Sequence, residues 1–170
     1  MGRRSAEAFN RLCVITALVA GVSFVSPAAA RKHGVDPSFE WPAQGRLVVP
    51  LCGRTGNKGI DLDVLPGSEI HAAESGRVAY AGSELREFPN LILLVHAGGW
   101  VSAYAFNDEI FVKRGDAVKR GGVIATAGSS GIGGRPFHFE LRRREKAVDP
   151  LIYLRPKATA EGASFACASQ

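Results

Sequence analysis

The 170 residues include only four histidines, three cysteines, two tryptophans and one methionine, Met1. The 20 glycines and nine prolines exceed the roughly 12% of average usage, yet no G-X-Y period accompanies them, which excludes a collagen-like rod. From Trp41 onward no window carries a 3.6-residue apolar period, which argues against a helical bundle. Apolar residues at 46% and charged ones at 22% are ordinary globular values and argue against a disordered chain. Residues 128–134 lack the Lys-Ser/Thr pair of a phosphate-binding loop, and Ser129-Ser130 lack the spacing of a nucleophile elbow. The net charge of +5 is modest: it permits an anionic partner without naming one.

What is present begins with an address. Arg3, Arg4 and Arg11 flank an uncharged stretch over residues 12–30, apolar over 12–25 and ending in Ser26-Pro27-Ala28-Ala29-Ala30. A basic region, a short apolar region and an A-x-A site read as a secretory signal peptide cleaved after Ala30. A retained anchor is the alternative, because 19 uncharged residues approach a minimal membrane span. Cleavage leaves 140 residues, a net charge of +3, and two cysteines, Cys52 and Cys167. In an oxidising compartment these two either pair as a disulfide or remain free thiols. Residues 31–40 read as a linker, 41–155 as one domain, and 156–170 as a loose Ala/Ser-rich tail.

The domain reads as short strands. Apolar or alternating runs occur at 46–49, 60–64, 77–81, 91–95, 100–106, 123–126 and 137–142, nearly all bounded by turn residues. That spacing predicts an antiparallel sandwich or open barrel. The 91–95 run is apolar on both parities and predicts a strand covered on both faces. Residues 77–80 and 138–141 alternate, so each is expected to wet one face. Val112-Lys113-Arg114-Gly115 recurs as Val118-Lys119-Arg120-Gly121, which predicts two tight glycine turns around a short strand. Of the polar residues on these runs, Asp61, Asp63, His96 and His138 are the candidates for chemistry. His96 is expected to serve a turn. Residues 142–146 are expected to form a solvated hairpin, with contact to an anionic cell-wall polymer as the alternative.

Eight segments in order carry a family resemblance. They include Gly56-Asn57-Lys58-Gly59-Ile60-Asp61-Leu62, Gly76-Arg77-Val78-Ala79-Tyr80-Ala81-Gly82, Ser102-Ala103-Tyr104-Ala105-Phe106, His138-Phe139-Glu140-Leu141-Arg142 and Val148-Asp149-Pro150-Leu151. Together they resemble the LytM-type, lysostaphin-like M23 peptidase domain, over about residues 41–154. The resemblance implies an all-β, small, open two-sheet antiparallel domain (a duplicated hybrid motif) with a groove. Active members hold zinc with the first His of H-x-x-x-D, its Asp, and the second His of H-x-H. The first His of H-x-H and another after a Tyr-Ala pair assist the reaction. Carried over, the zinc Asp is Asp61 and the last zinc His is His138. Asn57 replaces the first zinc His, Phe106 the His after Tyr104-Ala105, and Pro136 the first His of H-x-H.

Three imidazoles are therefore missing from five positions. A neutral amide is a poor zinc ligand, and catalytic zinc needs three protein ligands and an open place for water. Phe106 and Pro136 have no side-chain proton to move. The expectation is an inactive homologue with no cofactor, zinc entering only if the enzyme reading holds. The branch it resembles is that of the NlpD/EnvC murein hydrolase activators. That implies an exported protein of the bacterial periplasm or cell envelope, with no membrane span after processing. It would act in peptidoglycan remodelling by binding and activating a cell-wall amidase or by binding peptidoglycan, and not nucleic acid. The partner surface would be the groove around Asn57, Asp61, Tyr104, Phe106 and His138. The alternative is a zinc peptidoglycan endopeptidase of residual activity. A third reading, a biotinyl- or lipoyl-type carrier suggested by residues 112–125, lacks the usual Met beside a modifiable Lys.

Overall fold

The computed structural model describes residues 38–49, 59–128 and 135–156. Eleven strands follow in chain order: β1 (Arg46–Val49), β2 (Ile60–Asp63), β3 (Glu69–His71), β4 (Gly76–Gly82), β5 (Leu91–His96), β6 (Trp100–Ala105), β7 (Asn107–Ile110), β8 (Ala117–Val118), β9 (Val123–Ala127), β10 (Phe137–Arg143) and β11 (Lys146–Val148). One helical turn, α1 (Pro150–Tyr153), closes the described fold. Its start is written in Val148-Asp149-Pro150-Leu151. Asp149 accepts a hydrogen bond from the Leu151 amide at 2.9 Å, and Pro150 needs no donor at the first helical position.

All strand pairs are antiparallel and neither sheet closes on itself. The large sheet runs β1-β2-β10-β6-β5-β4-β8, with β11 added to β10, and the small one runs β3-β9-β7. The main core joins one face of the large sheet (Ile60, Leu62, Ile92, Leu94, Tyr104, Phe139, Leu141) to Ile70, Ile124 and Ala125 of the small one. Burying each such aliphatic or aromatic side chain is worth about 1.5–3 kcal/mol. The opposite face of the large sheet carries a second cluster, Leu91, Leu93, Ala103, Ala105 and Phe106. β5 therefore feeds both clusters, as its two-parity apolar run predicts.

The repeated Val-Lys-Arg-Gly segments do form two equivalent turns around β8. The Asp116 amide donates to the Lys113 carbonyl (3.1 Å), and the Gly122 amide to the Lys119 carbonyl (3.0 Å). Gly115 and Gly121 sit at φ +96° and +75°, where a side chain would be strained.

Three expectations need correction. Residues 38–40 are not linker: Phe39 is fully buried against Trp100, with ring centroids 5.2 Å apart, and its backbone bonds to Tyr153 and Arg155. Residues 142–146 do form a hairpin, but Arg142 is buried inside it, donating to the Glu145 carbonyl at 2.8 Å. The alternating face of β10 is covered rather than wet, since His138, Glu140 and Arg142 are all buried.

Candidate functional site

The polar row of β10 lies on the second-cluster face of the large sheet. Register places His138 opposite Asp61 on β2 and Ala105 on β6, and Glu140 opposite Ala103. Gly59 lets β2 approach: a Cβ there would lie 2.9 Å from His138 Cε1. The result is a chain of alternating charge. Asp61 Oδ1 is 2.5 Å from His138 Nδ1, His138 Nε2 is 3.4 Å from Glu140 Oε1, and Glu140 Oε2 is 3.3 Å from Arg142 Nη1. Burial opposes a charge on His138, but the Asp61 and Glu140 carboxylates at its two nitrogens prevail and hold its pKa up at about 9. The two carboxylates favour the protonated ring, in which both nitrogens donate.

Over this floor lies the β4–β5 connection, residues 83–90. Leu85 and Phe88 point inward onto the second cluster, while Ser83, Glu84, Arg86 and Glu87 are exposed. The small side chains of Ala103 and Ala105 leave the room. The Phe88 ring sits 6.2 Å from Phe106 and 6.4 Å from His138, so it covers both. The Tyr80 hydroxyl donates to Glu84 at one end of the connection. At the other end Asn90 and Asn107 bond each other's backbone, and the Phe106 amide donates to the Pro89 carbonyl at 3.1 Å.

Phe106 itself sits at φ +64°, a conformation costing a bulky residue about 1–3 kcal/mol. The Asn107 amide, donating to the carbonyls of Tyr104 (2.9 Å) and Asn90 (2.6 Å), holds that turn. The Arg135 guanidinium lies over the Phe106 ring at 5.4 Å. Phe106 and Pro136 also border a shallow recess with Asp63, Val64 and Phe137.

The structure thus brings together Asp61, His138, Phe106 and Pro136. Asn57, Cys52 and Cys167 lie outside the described residues. Tyr104 must be removed from the groove surface. It is fully buried on the opposite face, where its oxygen accepts from the Ala73 amide at 2.9 Å and lies 2.9 Å from Ser102 Oγ. That polar chain continues to His96, the last residue of β5 and the one that opens the 97–99 turn, whose Nε2 is 2.7 Å from Ser102 Oγ. His96 Nδ1 faces the Ser75 carbonyl at 3.0 Å, so Nδ1 donates and Nε2 accepts. Burial pushes the His96 pKa down to about 4, the Ser75 contact only partly opposing it.

Residue spacing alone left out Glu140, Arg142 and Phe88. The first two had a signal in the His138-x-Glu140-x-Arg142 parity. Phe88 had none, because a connection between strands has no period.

Zinc of the kind the resemblance implies does not fit the described site. Catalytic zinc needs three protein ligands; of the family's three ligand positions, Asp61 and His138 lie among the described residues, and the third carries the neutral amide of Asn57, a poor zinc ligand. Phe106 and Pro136 supply no donor. Among the described residues no group of three His, Cys, Asp or Glu side chains converges to hold a metal ion.

The model of peptidase family M23 matches residues 55–150. The chain is 42% identical over 120 residues to the uncharacterized lipoprotein YgeR of Escherichia coli K12, covering 70% of this chain and 48% of that protein. It is 42% identical over 118 residues to the murein hydrolase activator NlpD of E. coli K12, covering 69% of this chain and 31% of that one. Among solved structures, Csd3 of Helicobacter pylori aligns with a TM-score of 0.64 at 25% identity, over 74% of this chain and 37% of its own. The chain spans less than half the length of each of these relatives. With a family model covering more than half of its residues and its sheets matching those of a solved relative, the chain belongs to peptidase family M23.

Proposed function

We propose that this chain is an exported, non-catalytic M23 domain that acts in peptidoglycan remodelling by binding, and that its partner is a cell-wall amidase which it activates. The observation that carries this reading is His138. In the family pattern its position ligates zinc, whereas here its two ring nitrogens face the Asp61 and Glu140 carboxylates at 2.5 and 3.4 Å, and Phe106 and Pro136 bring no imidazole beside it. Without a metal-activated water, the domain has no route to the hydrolysis typical of zinc peptidases. The groove floor instead offers buried, charge-compensated side chains and the Phe106 ring, a surface suited to an apolar segment of another protein. Similarity to NlpD, named a murein hydrolase activator, favours the amidase over peptidoglycan itself as the direct partner. Among the described residues no helix is long and apolar enough to cross a membrane. The proposed place of action is the bacterial cell envelope, reached through residues 1–30 as a secretory signal.

Release of dye from labelled cell wall tests the reading. The chain alone is expected to release none, and the chain with a cell-wall amidase more than the amidase alone. Release by the chain alone, abolished by a chelator, would restore the endopeptidase reading. No effect in either setting would leave peptidoglycan binding, read by co-sedimentation with purified sacculi.

A further inference from the structure

The groove floor is covered by the chain's own residues. His138 and Phe106 are each 6% exposed, too little for a partner to read. What covers them is a segment with a recognisable shape. The Phe88 amide donates to the Leu85 carbonyl at 2.9 Å, so residues 85–88 form a single turn that places both apolar side chains on the second cluster. The intervening Arg86 and Glu87 face solvent. An apolar pair three residues apart with charged residues between them is how one turn of an amphipathic segment presents itself.

We propose that residues 83–90 are a displaceable plug. They occupy the place of a partner segment, and Leu85 and Phe88 stand in for two apolar side chains that the partner inserts against Ala103, Ala105 and Phe106. This rests on the groove-binding reading above and adds what the partner must present. It must carry two apolar residues one turn apart, uncharged where they meet the floor. The floor below asks for no polar group, because Asp61, His138, Glu140 and Arg142 already bond one another.

The tethers make displacement local. The Asn90–Asn107 pair pins one end and the Tyr80–Glu84 hydrogen bond the other. Between them the plug is held by two half-buried side chains and by one backbone bond to the β6–β7 turn, from the Phe106 amide to Pro89. Segments held by few apolar contacts open well below the free energy of global unfolding.

That single bond supplies the test, read on the full chain without any partner. In native-state hydrogen exchange resolved by NMR, the Phe106 amide is expected to exchange about 100-fold faster than the amides of the β5–β6 ladder. Phe88→Ala is expected to speed it about a further tenfold, with the ladder unchanged, and Phe88→Leu to restore most of the protection. A Phe106 amide as protected as the ladder, or one indifferent to Phe88→Ala, overturns the plug. An amidase that is stimulated while this amide stays locked also overturns it and leaves the activator reading standing. An open plug with no amidase stimulated does the reverse.

Discussion

Asn90 and Asn107 each hold the other's backbone. The Asn90 side-chain amide donates to the carbonyls of Asn107 (3.0 Å) and Asp108 (2.8 Å), and that of Asn107 donates to Asn90 (2.6 Å) and Tyr104 (2.9 Å). Two residues at positive φ, Asn90 at +50° and Phe106 at +64°, are fixed by this exchange. Replacing Asn107 with Ala removes two donors and leaves buried carbonyls unpaired. It is expected to cost about 2–4 kcal/mol in urea unfolding. A loss under about 0.5 kcal/mol would mean that the turn holds Phe106 without the exchange.

Glu140 is wholly buried between two cations, His138 and Arg142. Glu140→Ala takes the carboxylate from Arg142 and leaves His138 with Asp61 alone, and is expected to destabilise the fold by about 3–5 kcal/mol, whereas an exposed acid such as Glu87 changed to Ala should cost almost nothing. Equal effects of the two substitutions would refute the charge chain.

Stability should fall off on both sides of neutrality, through different histidines. His96 has a folded pKa lowered to about 4 from 6.5. The unfolded chain therefore binds the proton first, and stability drops as pH falls from about 6.5 towards 4. His138 has a folded pKa raised to about 9, so its contribution is complete below 6.5 and is lost as pH rises through 9. Urea midpoints across pH read both arms. His96→Gln is expected to flatten the acidic arm and His138→Gln the alkaline one.

Calorimetric zinc titration is expected to give no saturable binding at micromolar metal. Asn57→His, Phe106→His and Pro136→His together return the family's imidazoles and should restore about one equivalent. The Phe106 position favours this exchange, because histidine enters the left-handed region more readily than phenylalanine. One equivalent bound by the unsubstituted chain would contradict the fit argued above.

Phe39 contacts Trp100 and His96 in the main core although it precedes Trp41. Phe39→Ala is expected to lower stability by about 3–5 kcal/mol, and a chain beginning at Trp41 to melt earlier than one beginning at Ser38. Identical melting of the two chains would return residues 38–40 to the linker.

Much of this was legible in the residues because local rules decide it. Turn glycines, two-residue alternation and the Asp149-Pro150 cap define strands, reversals and the helical start without reference to the rest of the chain. The ordered motifs carried the family, and Phe106 and Pro136 announced the lost imidazoles. Other features depend on what lies across space. Alternation along β10 says which side chains share a face, but water or cover on that face is set by residues 83–90, some fifty positions earlier. Tyr104 stands beside Ala103 and Ala105 in sequence, yet parity turns it into the opposite core. The raised pKa of His138 comes from Asp61, brought in by β2, and from Glu140, buried beside it on β10. Sequence by itself determined the strands, the family and the missing ligands, since each is a matter of residue type at short spacing. Only the tertiary structure decided that the groove floor is buried, paired and covered by Leu85 and Phe88, because burial and pairing are properties of neighbours that the chain brings together from afar.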